Sequence, residues 1–171
     1  MRAAATLHPI WWTLLLGISF FTPPLVLLPD FGSNPWPTAL GMSVTAAVPT
    51  AWLYAIYDLA SAAPVNTGRG RALFILPPVC TVAGVAATYV AAAGSTLHSA
   101  GGVVFSLGAV SYFLCLWAAA TALERADTDG GKVEGARLFA TVAAMLYNLI
   151  GMWALSGKLR RVAARLPACG A

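Results

Sequence analysis

Charge is the scarcest property of this sequence. Of its 171 residues, ten are Lys or Arg and six are Asp or Glu, which amounts to 9%, against about 25% in an ordinary soluble domain. The charges are also clustered, because residues 3–29, 31–57, 72–123 and 138–157 contain none. This distribution excludes a soluble globular domain, a disordered chain and a nucleic-acid-binding protein. It also excludes a water-exposed catalytic domain, since no polar stretch is long enough to fold into one.

Motifs for catalysis and cofactor binding are lacking as well. The three cysteines form no CxxC pair, and Cys80 and Cys115 lie inside apolar stretches, so a disulfide framework is not indicated. No Gly-rich phosphate loop, zinc-ligand spacing or hydrolytic triad is present in the sequence. We therefore predict no cofactor, no metal site and no catalytic residues.

Apolar residues dominate what remains, at 59% of the chain with a mean hydropathy of +0.76. A helix needs about 20 apolar residues to cross a bilayer, and an isolated strand cannot satisfy its backbone in lipid. The sequence therefore predicts an all-α, polytopic membrane protein with a single domain. Its bundle of five hydrophobic helices comprises segments at about 10–28, 38–59, 72–93, 102–123 and 138–156, followed by a basic interfacial tail at 157–171.

The number of crossings stays open between four and five. Five crossings place six basic residues on one side of the membrane and four on the other, which is a weak bias. If segment five dips into the membrane and returns, all ten basic residues face the same side. Asn148 and Gly151 lie in mid-segment, where such a turn would form. The apolar length of the segment favours a crossing, and we take five crossings as the first expectation.

The tail is predicted to be a short amphipathic helix lying at the membrane surface. On a helical wheel, its apolar residues, beginning with Leu159 and Val162, share one face and its basic residues share the opposite one. Such a helix presents its basic side to lipid phosphates. The residues predicted to meet anionic lipid headgroups are Arg69, Arg71, Lys158, Arg160, Arg161 and Arg165.

Asp58 is the candidate polar site within the apolar part of the chain. It follows three aromatic residues at the end of segment two and lies within reach of Arg69 or Arg71. An ion pair near the membrane surface is favoured over a proton or cation site, because the residue is close to the segment end. The connection 124–137 holds seven of the sixteen charges and is expected to be a solvated, salt-bridged loop.

Small residues at helical spacing predict where helices pack closely. Such residues let two helix backbones approach each other, and an Asn can hydrogen-bond across the contact. The helix-packing candidates are Ala136, Ala140, Ala144 and Asn148 on segment five, and Gly84, Ala87 and Ala91 on segment three. The stripe on segment five is expected to receive another helix, from segment three or from a different subunit.

These observations lead to a ranked set of functional hypotheses. The first is a non-catalytic integral membrane subunit that packs within a larger membrane protein complex, in a bacterial inner membrane or an organellar membrane. Its expected partners are the lipid bilayer, anionic lipid headgroups and other membrane subunits, with no nucleic acid. The alternative is a small multi-pass transporter or channel, supported by prolines in three segments, Asp58 and Asn148. An intramembrane enzyme ranks third, with Cys80 and Cys115 at a similar predicted depth as its only support.

Overall fold

A computed structural model describes residues 10–11, 13–17, 35–63, 66, 70–90 and 95–166, with backbone alone at 35–40, 89–90 and 148–150. Throughout these ranges the regular structure is helical and no strand occurs, which confirms the predicted all-α class. Segment one falls only partly within them, with residues 10–11 and 13–17 helical.

The helices follow the apolar segments with shifted ends. Segment two corresponds to α1 (Pro35–Ser61), and segment three to a 3₁₀ helix (Arg71–Ile75) that leads into α2 (Leu76–Val90). Segment four is longer than predicted and forms α3 (Thr96–Asp127). The remaining elements are α4 (Gly135–Leu146) and α5 (Asn148–Arg165).

A proline pair explains why segment three begins as a 3₁₀ helix. Pro77 and Pro78 carry no backbone N–H, so neither can donate the i→i+4 bond that would extend α2 backwards over Leu73 and Phe74. The carbonyl of Leu73 is satisfied instead by the N–H of Leu76 and by the Cys115 thiol of α3, whose sulfur lies 3.5 Å away. The 3₁₀ helix therefore ends at Ile75, just before the proline pair.

Glycines bring α2 and α3 into backbone contact. A Cβ atom added to Gly84 would lie 2.7 Å from the backbone N of Phe105 and 2.9 Å from the carbonyl oxygen of Gly101. One added to Gly108 would lie 3.2 Å from the Cβ of Cys80. The two helices run antiparallel, and their separation at Gly84 leaves no room for a side chain there.

Segment five is two helices rather than the continuous one expected from its apolar length. The chain leaves helical geometry at Tyr147 and starts again at Asn148. Where the two helices cross each other, a Cβ atom added to Gly151 would overlap the backbone carbonyl of Ala144. The backbones of α4 and α5 are therefore in direct contact at this point. The two helices form a hairpin, and α4, at 12 residues, spans about 18 Å, which is well short of the roughly 30 Å hydrocarbon core.

The described part of the tail, residues 157–166, is part of this hairpin and not a separate helix. It continues α5, and its apolar residues Leu159, Val162 and Leu166 are buried in the core with α1 and α3. That core includes Leu53 and Ile56 from α1. The amphipathic pattern predicted for the tail is present, but its apolar face covers protein rather than lipid.

Two helical stretches, Arg71–Thr88 and Thr96–Asp127, are long and apolar enough to cross a membrane, judged by length and composition. Large apolar side chains on the outer faces of the same helices are exposed, among them Val79 on α2 and Val103, Leu107, Val110 and Phe113 on α3. Exposure of this kind is costly in water. It is the pattern expected of lipid-facing helices.

Candidate functional site: an ion-pair cluster at one end of the bundle

The ends of several helices meet at one end of the molecule, which we call the charged end. There the amide of Asn66, just after α1, donates to the carbonyl of Ala122 near the end of α3 at 3.1 Å. The start of α4 and the end of α5 lie at the same place, because Arg137 and Arg161 both contact Asp127. All the basic residues of the described chain fall in elements that reach this end: Arg71, Arg125, Lys132, Arg137, Lys158, Arg160, Arg161 and Arg165.

Glu124 is the centre of the cluster. Its side chain lies in the last turn of α3 and is 0% exposed. Its Oε1 atom accepts hydrogen bonds from the Thr141 hydroxyl of α4 and from the Lys158 ammonium of α5. Lys158 also donates to Thr141 Oγ1 at 3.2 Å, which closes a triangle among three helices. One carboxylate therefore fastens both arms of the hairpin to α3.

Asp127 forms the outer layer of the cluster, one helical turn beyond Glu124. Its carboxylate accepts from Arg137 Nη2 at 3.3 Å and from Arg161 Nε at 3.4 Å. Arg165 donates to the backbone carbonyl of Asp127 at 2.8 Å and lies 3.5 Å from Asp129. The acidic end of α3 is thus matched by basic residues on both α4 and α5.

The cluster is suited to holding helices together. Its three carboxylates face four basic side chains, so most of the charge is neutralised within the protein. Removing one partner of a buried ion pair leaves an uncompensated charge and is strongly destabilising. Glu124 Oε2 has no hydrogen-bond partner in the described structure, and Arg137 Nε lies 3.8 Å from it.

Asp58 makes the ion pair predicted from the sequence. Its Oδ1 lies 2.8 Å from Arg71 Nη2, and the carboxylate is mostly buried at the charged end. The other predicted partner, Arg69, lies outside the described residues. Asp58 therefore sits beside a basic group.

The helix-packing candidates divide into two groups. Gly84 is a backbone contact between α2 and α3, Ala87 is half-buried, and Ala144 packs against the core at the hairpin crossing. Ala136 and Ala140 are exposed on α4. Ala91 and the side chain of Asn148 lie outside the described part of the chain.

The headgroup candidates on α5 are placed differently from one another. Lys158 is drawn inward by Glu124, whereas Arg161 and Arg165 pair with acidic groups yet remain about half exposed. Arg160 and Arg71 are exposed. The tail is thus not a free basic surface, and contact with lipid headgroups remains a prediction.

Cys80 and Cys115, the only support for an intramembrane enzyme, do not meet. The register of the antiparallel helices sets Cys80 against Gly108 and Cys115 against Leu73. Gly108 and Cys115 are seven residues apart on α3, which is about 10 Å along the helix. This separation removes the observation that favoured an intramembrane enzyme.

A cavity of about 350 Å³ lies between α1, α2 and α3. It is lined mainly by apolar side chains, including Met42, Pro49, Pro77 and Phe105, together with two threonines. Both threonines donate to carbonyls of their own helices, Thr45 to Gly41 at 2.9 Å and Thr81 to Pro77 at 2.8 Å. None of the described residues that line it is charged.

The contact between Glu124 and Lys158 is the feature that sequence reasoning missed. The seven charges of the connection 124–137 and the four basic residues of the tail were treated separately. Their opposite signs were the available signal. Opposite charges can pair only if both stretches lie on the same side of the membrane, and an arrangement with five crossings places them on opposite sides.

Comparisons of the chain with protein-family models, with curated proteins and with solved structures found no match.

Proposed function

We propose that the protein is a multi-pass integral membrane protein that acts as a non-catalytic subunit of a larger membrane complex. The observation that carries this proposal is the separation of its polar and apolar surfaces. In the described chain, ion pairs are concentrated at the charged end, while α2 and α3 present exposed apolar side chains along their lengths. This separation of charged and apolar surfaces is suited to a protein that lies in lipid, and the ion pairs would hold its helices in a fixed arrangement there.

The ion pairs support a specific topology. If α4 and α5 together crossed the membrane, Lys158 and Arg161 would lie on the opposite side from Glu124 and Asp127. Their direct contacts instead favour a hairpin that enters and leaves on the same side. The end of α1, the start of the 3₁₀ helix and the end of α3 share that side, so the basic residues of the described chain gather there. With the charged end in the cytoplasm, this concentration of basic residues agrees with the positive-inside rule.

The exposed alanines of α4 support a role in assembly. Segment three was one expected partner for this stripe, but α2 packs mainly on α3, where Gly84 makes backbone contact. Ala136 and Ala140 remain uncovered, beside the exposed ring of Phe139. We expect a helix of another subunit to cover them.

The transporter hypothesis draws less support. Asp58 is paired with Arg71, and none of the described residues lining the cavity between α1, α2 and α3 is charged. Intramembrane ionisable residues on a transport path face a water-filled cavity. Neither Asp58 nor Glu124 does so in the described structure, because the first is paired at the charged end and the second is enclosed by α4 and α5.

The test is purification of the tagged protein from its native membrane in a mild detergent, with the native mass measured and copurifying proteins identified. We expect a complex larger than one chain. Ala140→Leu should release the partner without changing thermal stability, because Ala140 is exposed in the isolated chain.

Ala154→Leu is the matched control, since it places the same bulk on an exposed alanine of α5. It should leave the partner bound. A monomeric wild-type protein with no copurifying membrane protein would contradict the subunit proposal, and so would equal behaviour of the two variants.

A further inference from the structure

A second cavity, on the other side of α1, has a cation at one end and apolar walls along the rest. Its volume is about 420 Å³, and it lies between α1, the 3₁₀ helix and the start of α2. The side chains that matter here are Ala47, Ala51, Tyr54, Phe74, Pro78 and Arg71. We call this the Arg71 groove.

We propose that the Arg71 groove binds one anionic phospholipid, with its phosphate on Arg71 and the upper part of an acyl chain against α1. The proposal rests on the membrane location proposed above. It adds a ligand site that is separate from the ion pairs holding the hairpin.

The direction of the groove matches an amphiphile standing in a bilayer. Arg71 begins the 3₁₀ helix at the charged end, and Ala47 lies eleven residues before Asp58 on α1. At about 1.5 Å per residue, the groove wall on α1, from Tyr54 to Ala47, lies roughly 6–16 Å along the helix from Asp58, away from the charged end. Polar groups therefore stand where a headgroup lies, and apolar groups stand where an acyl chain lies.

Arg71 has donors to spare although it is already paired. Its Nη2 contacts Asp58 Oδ1 at 2.8 Å, yet the side chain is 58% exposed. A guanidinium carries five N–H donors in a planar fork that matches phosphate geometry. The pair with Asp58 orients the fork at the mouth of the groove. Arg69, two residues earlier in the sequence, gives this link and Asp58 together a net charge of +1.

The walls of the groove are fixed by packing. The Phe74 ring is buried and contacts two tyrosines of α1, with centroids 5.7 Å from Tyr54 and 5.0 Å from Tyr57. The Tyr57 hydroxyl accepts from the backbone N–H of Gly70 at 2.8 Å, which ties the link before Arg71 to α1. Ala47 and Ala51 are exposed and small, so they leave room against α1 for an acyl chain. A preformed, mostly apolar site with one polar anchor is the usual form of a ligand pocket.

The test measures lipid-dependent stabilisation of the purified full-length protein in detergent. Phosphatidylglycerol and phosphatidylcholine with identical acyl chains are added, and the shift in thermal unfolding is followed. We expect stabilisation by phosphatidylglycerol at concentrations where phosphatidylcholine has little effect. Arg71→Gln should raise the phosphatidylglycerol concentration needed by roughly fivefold or more, the effect of one basic residue near an anionic lipid surface.

Asp58→Asn separates lipid binding from the ion pair. Both Arg71→Gln and Asp58→Asn abolish the pair, but only the first removes the lipid-binding cation. Asp58→Asn should therefore keep or strengthen the preference for phosphatidylglycerol. If the two variants lose that preference equally, Arg71 has a merely structural role and the proposal fails.

Ala51→Leu fills the groove without touching a charge and should weaken binding of phosphatidylglycerol, whereas Arg125→Gln, at an exposed cation of α3, should not. Equal stabilisation by the two lipids, or an unchanged response in Ala51→Leu, would overturn the proposal. So would a partner helix crosslinking to Ala51→Cys in native membranes.

Carbonate extraction is run in parallel. Release of the wild-type chain would contradict the membrane proposal itself, whereas loss of lipid preference in a retained chain contradicts only the lipid site.

Discussion

At the residue scale, one buried carboxylate carries the most weight. Glu124 is enclosed by Thr141 and Lys158 and has no exposed surface. A charge in that position is tolerated only while its partners remain. The buried carboxylate has lost its hydration, and only those partners compensate for the loss. The three helices that supply these groups are consequently linked through a single side chain.

Glu124→Gln tests this link while preserving the shape of the residue. The glutamine still accepts from Thr141, but Lys158, with 15% of its side chain exposed, loses its counter-ion. Removing one partner of a buried pair costs roughly 3–5 kcal/mol, and we expect about 3 kcal/mol here because Lys158 can reach water in part. The free energy of unfolding in detergent is the quantity to measure.

Two further variants give this prediction its control. Asp129→Asn alters an ion pair in which the acid is 78% exposed, and it should change the stability by no more than about 0.5 kcal/mol. Glu124→Gln combined with Lys158→Met should cost less than the sum of the two single changes. Strict additivity would mean that the two side chains are not coupled.

At the element scale, the helices depend on glycines placed where backbones touch. Gly84 marks the contact of α2 with α3, and Gly151 marks the crossing within the hairpin. The sequence pattern correctly identified Gly84 as a packing position. For segment five it left open a turn at Asn148 and Gly151 beside a continuous helix, and the break lies at Tyr147; periodicity alone cannot distinguish a continuous helix from two helices broken there.

Gly84→Ala should separate α2 from α3. The added Cβ would lie 2.7 Å from a backbone atom of Phe105, and a backbone cannot rotate away. Overpacking of this kind costs roughly 1–3 kcal/mol. Gly102→Ala is the control, since a Cβ there has nothing within 4 Å, and it should be neutral or stabilising by up to about 1 kcal/mol. Comparable losses from both variants would show that the effect is not specific to the contact.

Gly151→Ala should open the hairpin, because the new methyl group overlaps the carbonyl of Ala144. Hydrogen exchange should rise across α4 and α5 while remaining low in α2 and α3. Gly157→Ala lies on the same helix, where the nearest atom is the end of the flexible Arg161 side chain at 3.9 Å. That variant is expected to exchange like the wild type, and protection unchanged by Gly151→Ala would argue against the crossing.

At the scale of the whole molecule, polarity is arranged along one axis. Charges gather at one end, and apolar side chains cover the outside of the helices that leave it. The helical class, the apolar segments and the Asp58 ion pair followed from composition and spacing. The hairpin was only the alternative to a fifth crossing, because an apolar run of sufficient length satisfies the criterion for a crossing whether or not it turns back. The two arrangements are distinguished by the backbone contact of Gly151 with Ala144 and by the contacts of Lys158, Arg161 and Arg165 with the end of α3.

The most direct test of the account is the side of the membrane on which the two ends of the hairpin lie. Single cysteines replace Lys132 before α4, Arg160 near the end of α5, and Ser99 at the opposite end of α3, in a chain whose native cysteines are changed to alanine. A membrane-impermeant maleimide is then applied to intact and to permeabilised cells. Lys132→Cys and Arg160→Cys should label together, both only after permeabilisation, and Ser99→Cys should label in intact cells. Labelling of Arg160→Cys together with Ser99→Cys would show that segment five crosses the membrane and would contradict the account.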